Sequence, residues 1–155
     1  MRPSVLMVGT GGLAVFLWTA GHIEVGTVAT TEAVGAPTAF KVVDGPIRVA
    51  GTPYLSGALT AAGVNNRAFY GLAVGTNPLD AKLVQNNVLP IFELEPVFGE
   101  ERRIELPSVA VDVPKGQSLF VVATAVSDTF VGMGSRTPGV VLLENAVVDL
   151  PVVGE

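Results

Sequence analysis

The sequence predicts an all-β fold, a single-domain β-sandwich or jelly roll of about eight strands with at most one short helix. Three observations carry this expectation. The 18 glycines and 11 prolines of the 155-residue chain fall at short intervals between valine-rich runs and do not gather in one linker. Several of those runs alternate apolar and polar residues with the period of two that sorts side chains onto the two faces of a strand. Hydrophobic residues make up 49% of the chain against 15% charged, a balance that suits a packed core and excludes a disordered tail.

Taken in order, residues 1–21 read as an apolar N-terminal arm or first strands and residues 22–155 as the sandwich. No formal charge occurs from Pro3 to Ile23 with His22 neutral, and Val5 to Ala20 is strongly apolar. A signal peptide would place Trp18 where a small residue is wanted. A membrane span is short here and weakened by Gly9, Gly11 and Gly12, although membrane contact through residues 3–21 stays open as an alternative. The favoured reading is an arm or strand pair, Ser4–Val8 and Leu13–Trp18 around a glycine turn, buried in the domain or in a neighbouring subunit. Next, Ile23–Thr27, Ile47–Val49 and Phe69–Val74 read as strands, and Asn77–Val84 as the one short helix, with Asn77 capping and Pro78 at the first helical position. Leu89–Val97, Arg103–Leu106 and Val109–Val113 follow as strands. Pro114-Lys115-Gly116-Gln117 then predicts a tight reversal. Leu119–Val126 suits a strand buried on both faces, Ser127–Gly139 reads as a loop, and Val140–Leu143 and Ala146–Val153 close the chain.

Composition also limits the chemistry. With no cysteine there is no disulfide framework, thiol nucleophile or thiolate metal site, and one histidine, His22, excludes multi-histidine metal centres. A net charge of −5 with nine basic residues spread thinly gives no basic patch for phosphate contacts, so nucleic acid is not an expected partner. Gly9, Gly11 and Ala14 fit a dinucleotide fingerprint, with Glu32 further on, yet only Leu13 to Ala20 is available for the helix that would face a pyrophosphate. Glu93 and Glu95, two apart on a predicted strand, share a face and would suit a paired-carboxylate or calcium site, but the favoured reading is ordinary solvated residues on an exposed strand face. Glu100-Glu101-Arg102-Arg103 reads as a charged hairpin tip. Ser135 lacks the flanking glycines of a nucleophile elbow. No catalytic, cofactor or metal residue is assigned, and the chain is expected not to be an enzyme and to need no cofactor.

Arg103 to Val126, with the late strand Val140–Leu150, resembles the strand-turn-strand texture of jelly-roll and β-sandwich proteins of virus particles, including minor capsid and capsid-decorating proteins of phages. That resemblance implies an architectural role in a virion, with strand edges and apolar arms satisfied by neighbouring subunits. The composition fits such a role independently, because a mean hydropathy of +0.54 exceeds what one small monomer buries by itself. Expected partners are copies of the chain itself, a trimer being favoured, and a larger capsid protein. The candidate assembly contacts are Leu6, Val8, Leu13, Phe16, Trp18, Val148 and Val152. The alternative is an extracellular or membrane-anchored recognition module, binding carbohydrate or protein through Tyr54, Tyr70 and the 127–139 loop.

Overall fold

A computed structural model describes residues 21–31, 38–124 and 140–153. Within them the chain is all β, with twelve strands in three antiparallel sheets. The first sheet has the order β1-β11-β4-β8, from β1 (Gly21–Thr31), β11 (Val140–Leu150), β4 (Tyr54–Ala61) and β8 (Val97–Glu105). The second has the order β2-β10-β5-β6, from β2 (Thr38–Asp44), β10 (Ser118–Thr124), β5 (Asn66–Gly75) and β6 (Lys82–Leu83), with β7 (Leu89–Glu93) also paired to β5. A small third sheet joins β12 (Val152–Val153), β3 (Ile47–Gly51) and β9 (Val109–Val113).

The core follows from alternation. On β4, Leu55, Gly57, Leu59 and Ala61 are buried, while Tyr54, Ser56, Ala58 and Thr60 are half-exposed. Leu143, Val148 and Leu150 from β11 and Ile104 from β8 join them, and Tyr70, Leu72, Leu119 and Val121 come from the second sheet. Each such side chain contributes about 1.5–3 kcal/mol by leaving water. Gly57 has no room for a side chain, since a Cβ there would lie 2.7 Å from the Glu144 carbonyl oxygen. The run expected to be buried on both faces is so: every residue of β10 is buried. Its outward-facing Phe120 and Val122 pack with Ala73, Ala81 and Leu83, under the segment that carries β6.

Several expectations are corrected. The strands exceed eight partly because β2 and β4 carry weak sequence signals. Residues 140–150 form one strand, interrupted by an irregularity between Glu144 and Val147 where Asn145 takes φ 51°. Asn77–Val84 is not a helix: the Asn77 Oδ1 does accept the Leu79 N–H at 2.9 Å, but the turn stops because Lys82 and Leu83 pair with Val74 and Ala73 of β5. A short 3-10 turn, Val84–Asn86, follows. Pro114–Gln117 does form a turn, with the Gln117 N–H donating to the Pro114 carbonyl at 3.1 Å and Gly116 at φ 87°. It does not fold a hairpin, because β9 pairs with β3 and β10 with β2, so the chain turns a corner between sheets. Glu100–Arg103 lies inside β8 and not at a hairpin tip, held there by pairing with Leu59 to Ser56 of β4.

Candidate functional site

Three surface features stand out. The first is an open cleft of about 690 Å³ between the end of β5, the turn after it, β6 and β9. Its acidic groups are engaged locally. Asp80 accepts hydrogen bonds from the Thr76 hydroxyl and from the Asn77 N–H at 2.9 Å, and these hold its carboxyl below the usual range. Asp112 is gripped by Arg48 through Nε at 2.5 Å and Nη2 at 3.1 Å, which also lowers its pKa. Gln85 and Gln117 add amides to the lining. A cleft of this kind offers hydrogen bonds to a polar ligand, with its carboxylates already balanced by donors of the chain.

The second feature is the outer face of the first sheet. Cross-strand register sets Asp149, Tyr54 and Glu105 in one row, with His22 at the position opposite Asp149. The Arg103 guanidinium lies 3.9 Å from the Tyr54 ring centroid and 3.8 Å from the Asp149 carboxylate.

The third feature is the end of the sandwich at the β4–β5 turn. Four large apolar residues are exposed there: Val64, Phe92, Leu94 and Phe98, the last at 70%. The backbone brings them to one place. The Asn65 N–H donates to the Leu94 carbonyl at 3.1 Å, Phe92 stands opposite Arg67, and Val97 pairs with Ala61. Arg67 covers one face of Phe92 at 4.7 Å. Just behind this end, β7 and β8 carry charges toward each other across the sandwich, with Arg102 3.6 Å from Glu93 and 2.5 Å from Glu100.

The expected site residues distribute unevenly. Leu6, Val8, Leu13, Phe16 and Trp18 lie outside the described residues, as do the 127–139 loop, Ser135 and the Gly9–Ala14 motif. Val148 is fully buried, paired with Ile23 and Leu55 on its two sides, so its surface is spent inside the chain's own core. Val152 is partly buried and pairs with Val49. Tyr70 is fully buried and is not a surface ligand contact; burial pushes its phenol pKa up. Tyr54 is half-exposed on the opposite side of the first sheet from the core, so the two tyrosines do not form one platform. Glu93 and Glu95 do not share a strand face either, since β7 ends at Glu93, which faces Arg102 while Glu95 is exposed. Among the described residues, no group of three or more His, Cys, Asp or Glu is placed to hold a metal ion, and no helix is long and apolar enough to cross a membrane.

Fold and surface together define an all-β sandwich with an apolar end and a polar cleft. No family model and no curated protein matches the sequence; the likeness is to solved structures. An aminopeptidase from a marine sediment archaeon, Thaumarchaeota archaeon, superposes with a TM-score of 0.51 at 14% identity, over 83% of this chain and 25% of that one. An α-amino acid ester hydrolase gives 0.49 at 13% identity, over 81% and 25%. The infectious bursal disease virus Gx strain gives 0.28 at 9% identity, over 96% and 38%. The chain thus spans about a quarter of the length of both hydrolases. The aminopeptidase match corrects the expectation that the chain is not an enzyme, because its fold occurs as part of an aminopeptidase. At 14% identity the likeness is one of fold, and no catalytic residue comes with it. Of the expected virion-type fold, the described residues show the all-β architecture.

Proposed function

We propose that this chain is a structural module of a virus particle, a capsid-decorating or minor capsid protein that associates with itself and packs on a larger shell protein. The observation that carries this reading is the apolar end at Val64, Phe92, Leu94 and Phe98. Large apolar side chains grouped at one end of a sandwich are unfavourable in water and gain by contact with protein. The uncharged stretch from Pro3 to Ile23 and the mean hydropathy of +0.54 support the same reading. Residues 1–21 then act as the arm and residues 22–155 as the body. Light scattering after size exclusion, on the full chain across a concentration range, tests it. The expected result is a trimer or larger species; a monomer at every concentration overturns the proposal.

A second reading is favoured by the aminopeptidase superposition. In it the sandwich is a β domain that works beside a hydrolase core, with the polar cleft at Asp80 and Asp112 facing that core. Aminopeptidase turnover by a complex of this chain with a hydrolase core, weakened on substituting cleft residues such as Lys82 or Gln85, would select this reading over the first.

A further inference from the structure

We propose that residues 1–20 of one copy cover the Val64–Phe98 apolar end of the next, joining copies head to tail. This rests on the assembly reading and names the occupant of its contact surface. Position is the first argument. The apolar end lies where β1 finishes, because Thr31 pairs with Val140, whose carbonyl accepts the Ala62 N–H at 3.2 Å. Residue 20 joins the opposite end, because Gly21 pairs with Leu150. With 11 residues in β1, the two ends are about 36 Å apart. Twenty residues extended span up to about 66 Å, long enough to leave the body that carries them and reach the apolar end of a neighbouring copy.

Charge is the second argument. Around the patch stand Glu93, Glu95, Glu100 and Glu101 against Arg67 and Arg102, so an acidic partner is disfavoured and a segment without charge is admitted. Residues 3–20 have no charge and carry Leu6, Leu13, Phe16 and Trp18, the large apolar groups that such a patch buries. The strand edges give the third argument. β8 presents its Glu100–Arg103 run and a kink at Gly99, φ 66°, while β7 contains Pro90, devices that discourage strand addition. The contact therefore forms through side chains at the end of the sandwich. Each copy gives one arm and receives one, a heterologous contact of the kind that closes into rings.

The test uses two full-length double variants, F16D/W18D in the arm and L94D/F98D at the patch, with circular dichroism confirming an unchanged β fold. Sedimentation velocity is expected to show each variant alone as a monomer. Mixed in equal amounts, they should form a species of two chains, because one supplies an intact arm and the other an intact patch. A patch variant that keeps the parent's mass overturns the inference and leaves the assembly reading standing. A mixture that stays monomeric overturns it too, since the arm would then act within its own chain. A parent chain that is monomeric throughout removes the assembly reading and this inference together.

Discussion

Tyr70 stands fully buried with no hydrogen-bond partner for its hydroxyl among the described residues. An unpaired buried hydroxyl costs about 1–3 kcal/mol relative to one that is satisfied. Tyr70→Phe keeps the ring and removes that penalty, so urea denaturation is expected to show unchanged or higher stability, by up to about 1 kcal/mol; a clear loss would reveal a partner for the hydroxyl. Asp112 illustrates the opposite case, an exposed carboxylate with two donors from Arg48. Its folded pKa lies below the ordinary value of 3.8. Its contribution is therefore fully present above 3.8 and disappears as pH falls through the lower, folded value. Asp112→Asn should lower the urea midpoint slightly at about pH 7, and the gap from the parent should close in acid below the carboxylate range. A gap that stays constant across that range would mean the charge plays no part. These residue properties were only partly legible beforehand. Nothing in the local pattern separates Tyr54 from Tyr70, because burial depends on which strand lies opposite.

At the scale of elements, strict alternation made β9 readable: Val109 and Val113 are buried and Val111 is partly so. The continuous apolar run 119–126 likewise announced a central strand. What misled was local chemistry that tertiary pairing overrode. Asn77 and Pro78 set up a turn, with the Asp80 N–H donating to the Asn77 carbonyl at 3.3 Å, yet β5 captures Lys82 and Leu83 before a helix forms. The Pro114–Gln117 turn is real, but whether a turn makes a hairpin or a corner depends on the partners of the two flanking strands. β2, with Lys41 exposed beside Val42 and Val43, lacks clean alternation and was missed. The apolar end was missed for a related reason: Val64, Phe92, Leu94 and Phe98 come from three separate segments, and each alone reads as an ordinary core residue. Asn145 offers a test of the irregularity in β11. Its φ of 51° costs a β-branched residue about 1–2 kcal/mol, so Asn145→Val should lower Tm while Asn145→Gly leaves it nearly unchanged. Equal Tm values for the two would show that the strand does not depend on this conformation.

Across the whole molecule, β11 lies between β1 and β4 in the first sheet, so residues 21–31 are joined to the body through residues 140–150. Loss of β11 leaves β1 without its hydrogen-bonded strand and removes Leu143, Val148 and Leu150 from the core. A chain ending at residue 139 is therefore expected to lack cooperative thermal unfolding by circular dichroism; a sharp transition would show that the second sheet stabilises itself alone. The same pairing has a mechanical meaning. Gly21 and Leu150 are antiparallel neighbours, so a pull applied between them would peel β1 away one hydrogen bond after another, a weak geometry. A pull entering at Gly21 and leaving at the Phe98 end runs instead along the strands. It loads the β1–β11 hydrogen bonds together, in shear. Copies linked from arm to apolar end would carry tension in this second direction, along the axis on which each sandwich resists most.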